Sequence, residues 1–221
     1  RKGLEIREKI LGENHSDTAT SYDNLGRVCA KRGKYKEAES LYKKGLEIRE
    51  KILEENHPDT ARSYDNIGEV YASQGKYNEA ERLYKKGLEI HEKILGENHP
   101  DTARNYNNLG RVYASQGKYN EAERLYKKGL EIREKILGEN HPDTASSYNN
   151  LGRVYESHEK YKEVESLYKK GLEIREKILG ENYPDTTSSY NNLVYVYARR
   201  GKYEEVESLY RKGLEICEKI L

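Results

Sequence analysis

The chain has 221 residues, 36% of them charged, yet 40 Lys+Arg stand against 39 Asp+Glu and leave a net charge of +1. That balance argues against tight electrostatic binding of nucleic acid, and no apolar run approaches the ~18 residues of a membrane-spanning helix. Phe, Trp and Met are absent while Tyr numbers 21, so the expected core is thin and amphipathic, with phenol hydroxyls reaching partners or water. Cys29 and Cys217 are too far apart for a disulfide framework or a metal spacing, and no basic-then-apolar leader opens the sequence.

The organising feature is a period of 42: Gly-Leu-Glu-Ile recurs at Gly3, Gly45, Gly87, Gly129, Gly171 and Gly213. A fixed period of this size marks a stack of one supersecondary unit. Residues 1–15, with Leu4, Ile6, Ile10 and Leu11, read as the end of a unit's second helix. Units follow at 16–57, 58–99, 100–141, 142–183 and 184–221, forming one array over 1–221 that looks cut from a longer one. Units 58–99 and 100–141 differ only at 63/105, 65/107, 67/109, 69/111 and 91/133.

Within a unit, punctuation predicts two helices. Pro58-Asp59-Thr60 suits a helix start and Gln74-Gly75-Lys76 a break, so helix A runs from about Pro58 to Gln74. Helix B opens at Tyr77 and carries apolar residues at helical spacing through Leu95, until Gly96 offers a left-handed cap. Glu81/Lys85 and Glu89/Lys93 place most of the charge on a solvated face. At ~100° per residue, Tyr64, Ile67, Gly68 and Tyr71 share the face of helix A that packs on helix B. Gly68 and the mid-helix Gly87 point to close helix approach, because glycine inside a helix costs ~1 kcal/mol relative to alanine.

The spacing Tyr64-x2-Ile67-Gly68-x2-Tyr71 followed by Ala80-x3-Tyr84 resembles the tetratricopeptide pattern W-x2-L-G-x2-Y…A-x3-F, with Tyr in both aromatic places. It recurs across the chain. The segment Ile-Arg-Glu-Lys-Ile-Leu-Gly-Glu-Asn-His-Pro-Asp-Thr is similar to the 42-residue repeats of kinesin light chains. The resemblance implies an all-α fold, a right-handed superhelical solenoid of antiparallel helix pairs, with five repeats plus an N-terminal half helix. Departures are Val194 for the packing Gly, Cys29 for a core Tyr, and Val164 and Val206 for the small Ala. Irregularities such as His91, Tyr183, Val194 and Cys217 read as natural drift rather than consensus design.

Function is expected on the stripe of helix A opposite the core, where Arg62, Asn66, Glu69 and Ser73 align. Asn24, Asn66, Asn108, Asn150 and Asn192 recur there in every unit. An Asn amide offers one acceptor and two donors, so a ladder of them can hold an extended peptide by its main chain, as groove-facing Asn residues do in kinesin light chains. Solvation or recent duplication would also place Asn there, although duplication has not preserved position 69, which reads Arg27, Glu69, Arg111, Arg153 and Tyr195. Around the stripe, Arg27, Lys31, Arg62, Arg104, Arg111, Arg153 and Arg199 outnumber Asp23, Asp65, Glu69 and Glu156, weakly favouring acidic ligands.

His57, His99 and His141 precede the helix-opening prolines with no second ligand at i+3 or i+4, which suits caps or interfaces rather than metal. No nucleophilic triad or phosphate loop is present, so no enzyme activity, cofactor or metal is expected. The expected role is a cytoplasmic protein-interaction scaffold, with neither nucleic acid nor membrane as partner. The alternative is a structural element that self-associates head to tail through uncapped ends.

Overall fold

The computed structural model describes residues 2–54, 56–181 and 183–220. These form eleven helices, with no strand among the described residues: α1 (Lys2–Leu11), α2 (Ser16–Lys31), α3 (Tyr35–Ile52), α4 (Pro58–Ser73), α5 (Tyr77–Leu95), α6 (Pro100–Ser115), α7 (Tyr119–Leu137), α8 (Pro142–Ser157), α9 (Tyr161–Leu179), α10 (Pro184–Arg199) and α11 (Tyr203–Ile220). Even-numbered helices are the A helices; α3, α5, α7, α9 and α11 are the B helices. The Cys217 side chain lies outside the described residues.

The histidines are N-caps. Nδ1 of His15, His57, His99 and His141 accepts the backbone N–H of Asp17, Asp59, Asp101 and Asp143, each at 3.1 Å. The bond satisfies an amide that the first helical turn leaves orphaned. Tyr183 holds the same place with no side-chain cap bond. At the far end of α5, Gly96 adopts φ +85°, a left-handed conformation that side-chain-bearing residues avoid, and the chain turns there toward the next A helix.

Two compact units, residues 1–117 and 118–221, make up the chain. In the first, α1 to α5 each pack on the next helix in sequence and α5 on α6, while α4 also touches α2 and α6, so the A helices lie side by side. In the second, α7 to α11 pack in the same consecutive order. Three-residue links such as Arg32–Lys34 turn each helix back along its neighbour.

Each core is small and partly phenolic. In the first unit, Cys29, Ala38, Tyr42, Ile67, Val70 and Leu83 form a buried cluster; in the second, Val164, Tyr168, Tyr190, Leu193 and Val196 do. A Cβ on Gly68 would lie 3.1–3.2 Å from the Tyr84 ring and one on Gly26 2.9–3.1 Å from the Tyr42 ring, so the glycine is the slot into which the B-helix tyrosine lies. Val194 stands in the equivalent slot, and the matching Tyr210 is 58% exposed. Gly87 is equally constrained, since a Cβ there would stand 2.6 Å from Asp65 Oδ1 and 3.2 Å from the Ala61 carbonyl.

Tyr64, Tyr71 and Tyr113 of the A helices are half-buried and reach backward. The hydroxyl of Tyr64 donates to Glu50 at 2.9 Å, that of Tyr71 to Glu39 at 2.8 Å and that of Tyr113 to Glu81 at 3.2 Å. Each acid belongs to the preceding B helix. Glu39 and Glu81 also hold Lys43 and Lys85 at 2.8 and 2.7 Å, so part of the charge expected on a solvated face joins neighbouring repeats instead.

Candidate functional site

The five Asn residues lie on the A helices, none of them fully buried: Asn24 on α2, Asn66 on α4, Asn108 on α6, Asn150 on α8 and Asn192 on α10. The amides of Asn66, Asn108, Asn150 and Asn192 make no hydrogen bond among the described residues, whereas Asn24 Oδ1 accepts from Arg27 at 3.1 Å. Unsatisfied donors and acceptors on a half-buried amide are available to a ligand backbone. In the first unit Asn24, Asn66 and Asn108 sit on three helices that touch in order.

Between α2 and α4 the stripe opens into a cavity of about 220 Å3 whose lining includes Asn24 and Asn66, with Arg27 and Arg62 beside them. Its floor is Arg49 of α3, only 3% exposed. The Arg49 guanidinium donates through Nη1 to Asp23 Oδ2 at 2.8 Å and to Ser63 Oγ at 2.7 Å. Arg49 Nε and Asp23 Oδ1 are buried without a partner. Burial pushes the Asp23 carboxyl above its ordinary range, and Arg49 opposes that shift. The cavity thus sets the Asn66 amide, and an Asn24 amide that already accepts from Arg27, over an arginine whose charge is paired with Asp23.

The remaining candidates differ in their freedom. Arg62 pairs with Asp59 at 3.1 Å, Arg104 with Asp101 at 2.7 Å and more loosely with Asp65 at 3.7 Å, and Arg111 with Glu69. Asp59 and Asp101 lie outside the stripe as a helical wheel draws it, yet they neutralise much of its positive excess in this unit. Arg153 lies exposed on α8 in the second unit. Sequence reasoning missed Arg49, which resembles its solvated neighbours on a helical wheel. A signal existed: Arg7, Arg49, Arg133 and Arg175 each stand 14 residues before a serine.

At the corresponding place between α4 and α6 the arginine is His91. Its Nδ1 lies 2.6 Å from Asn105 Oδ1, and Asn105 Nδ2 donates to Asp65 Oδ1 at 2.5 Å. Because the amide nitrogen of Asn105 faces the carboxylate, its oxygen accepts and His91 Nδ1 carries the proton. Asp65 Oδ2 has no hydrogen-bond partner. Burial raises the Asp65 carboxyl to about 7, against the lowering influence of Arg104 and Asn105, and burial holds the His91 imidazole below its ordinary value.

The family model described as Tetratricopeptide repeat matches residues 1–51, 28–93, 59–135, 117–177 and 165–219. No curated protein matches the chain. Among solved structures, BtubC (BKLC) from P. vanneervenii is similar at 26% identity and a TM-score of 0.83, covering 93% of this chain and 82% of that one. A putative kinesin light chain of Podosopora anserina with nearly identical TPR-like repeats is also 26% identical, with a TM-score of 0.77 and coverage of 93% and 98%. The apo form of RapI shares the fold at 22% identity and a TM-score of 0.76, over 91% of this chain and 70% of its own. The fold is therefore an all-α repeat solenoid. Among the described residues no helix is long and apolar enough to cross a membrane.

Proposed function

We propose, since the chain belongs to the tetratricopeptide repeat family, whose members generally mediate protein interactions and are typically non-catalytic, that its A-helix stripe binds an extended peptide segment of a partner protein. The observation that carries this reading is the cavity between α2 and α4, which sets Asn24 and Asn66 beside Arg27 and Arg62 above the buried Arg49. The amides hold the peptide main chain, and an acidic side chain of the peptide enters the cavity toward Arg49. Asn108, Arg104 and Arg111 extend the stripe on α6, and Asn150, Asn192 and Arg153 provide it in the second unit. A cytoplasmic scaffold or adaptor is the corresponding cellular role.

The test is selection of extended peptides from a random library by the intact chain, with an Asn24→Ala/Asn66→Ala variant beside it. Acid-containing peptides that bind the parent and lose roughly tenfold or more in affinity on the variant support the reading. Peptides that bind both equally overturn it. A second reading, self-association, is favoured by the exposed Ile6 and Ile10 on α1 and the exposed Tyr203 and Leu214 on α11. Light scattering in the same buffers separates the two, because only self-association makes mass climb with concentration.

A further inference from the structure

Four arginines, on α1, α3, α7 and α9, reach to a serine 14 residues on, at the start of the next A helix. Arg7 meets Ser21 at 2.5 Å, Arg49 meets Ser63 at 2.7 Å, Arg133 meets Ser147 at 2.8 Å and Arg175 meets Ser189 at 2.7 Å. A long side chain thus closes against a short one. At the joint between α5 and α6 both lengths reverse: the shorter His91 meets the longer Asn105 at 2.6 Å. His91 is 1% exposed and Asn105 is wholly buried, so this packing has no solvent margin. His91 is therefore not an isolated irregularity, as the sequence alone suggested, but half of a matched exchange.

A second observation concentrates on the same joint. Repeats 58–99 and 100–141 differ at only five equivalent positions. Of the residues at these positions, Asp65 and Glu69 on α4, His91 on α5, and Asn105 and Arg111 on α6 all meet here. Asp65 accepts from Asn105, which holds His91; Glu69 pairs with Arg111, which also reaches the Tyr84 hydroxyl at 3.5 Å. Two nearly identical repeats have therefore placed their differences in contact with one another. Had Asn105 faced an arginine, two long polar side chains would compete for one buried space. Had His91 faced a serine, both would be left short of a partner, and an unmade buried hydrogen bond is costly.

We infer that the α5–α6 joint is a private interface: the α5 face carrying His91, with Asp65 and Glu69 of α4, accepts an A helix bearing Asn and Arg at the places of Asn105 and Arg111 and discriminates against the serine-bearing A helices of the other repeats. The partner that this surface fits is one particular helix of this array, in the same chain or in a second copy. In a chain of near-copies such discrimination opposes mis-stacking, which otherwise has almost identical surfaces to exploit. The inference stands whether or not the stripe binds a peptide.

The test is a cycle on the intact chain: His91→Arg, Asn105→Ser and the double variant, each followed by urea unfolding with circular dichroism. Each single change should lower the folding equilibrium constant by roughly tenfold or more, and the double, which recreates the Arg–Ser closure, should return to within about threefold of the parent. A transplant supplies an independent arm. Arg49→His/Ser63→Asn should be more stable than either Arg49→His or Ser63→Asn alone, because Asp23 occupies the place of Asp65. If the single effects simply multiply in the double, and the transplanted pair is no better than its halves, the joint does not discriminate and the inference is overturned. Failure of a single variant to fold is the expected extreme of mismatch only when its double folds; failure of the double as well also overturns it.

Discussion

Replacing Asp65 by Asn should change how stability depends on pH, and the structure sets both sign and size. Asp65 is buried, accepts from Asn105 through Oδ1, leaves Oδ2 without a hydrogen bond, and faces the cationic Arg104 at 3.7 Å along with the acidic Asp101. Its carboxyl is raised from 3.8 to about 7. A group whose folded pKa is raised contributes stability that is complete below its unfolded value and is lost as pH rises through its folded value. The window therefore runs from about pH 4 to about pH 7, with a slope of ~1.4 kcal/mol per pH unit and a total of about 4 kcal/mol. Asp65→Asn retains the oxygen that accepts from Asn105 and cannot ionise. Urea unfolding of both proteins from pH 4 to 8, with the variant subtracted from the parent, isolates this one group from all other titrations. The difference should move in the variant's favour with rising pH and level off above about 7. A difference that stays flat across that window would refute the reasoning.

Further expectations follow from other contacts. Gly87→Ala should destabilise by ~1–3 kcal/mol in thermal or urea unfolding despite alanine's better helix propensity, because the new Cβ meets Asp65 and the Ala61 carbonyl. Arg49→Met should cost about 3 kcal/mol by leaving the Asp23 carboxylate buried without its cation, and adding Asp23→Asn should recover much of that in the same measurement. Tyr183→His should stabilise α10 by ~1 kcal/mol through the cap bond that His57, His99 and His141 make, read as slower amide exchange in its first turns.

The helix pairs, the role of Gly68 and Gly87, and the cap position of the histidines were legible in the sequence, because each follows from local rules: a break, a wheel, or a residue before proline. That the five Asn residues stand on A helices without being fully buried also follows from one helix and its angular period. The Arg49–Asp23–Ser63 arrangement was not. Its members lie 26 residues back and 14 residues on from Arg49, on helices whose relative placement no single wheel encodes, and an arginine on a charged helix reads as solvated until its burial is seen. His91 and Asn105 looked like separate deviations for the same reason: only contact makes them one.

Arg49 ties three helices by one side chain, and this has a mechanical consequence. Pulling α4 away from α3 would separate the guanidinium from Ser63 and uncover its ion pair with Asp23. The joint between α5 and α6 is tied by the His91–Asn105–Asp65 chain together with the Glu69–Arg111 ion pair, and opening it releases Asp65 into water, where the carboxylate at neutral pH is better solvated than in place. Parting the two joints therefore exposes different groups: a guanidinium and the carboxylate it pairs with at α3–α4, and a carboxylate released from burial at α5–α6.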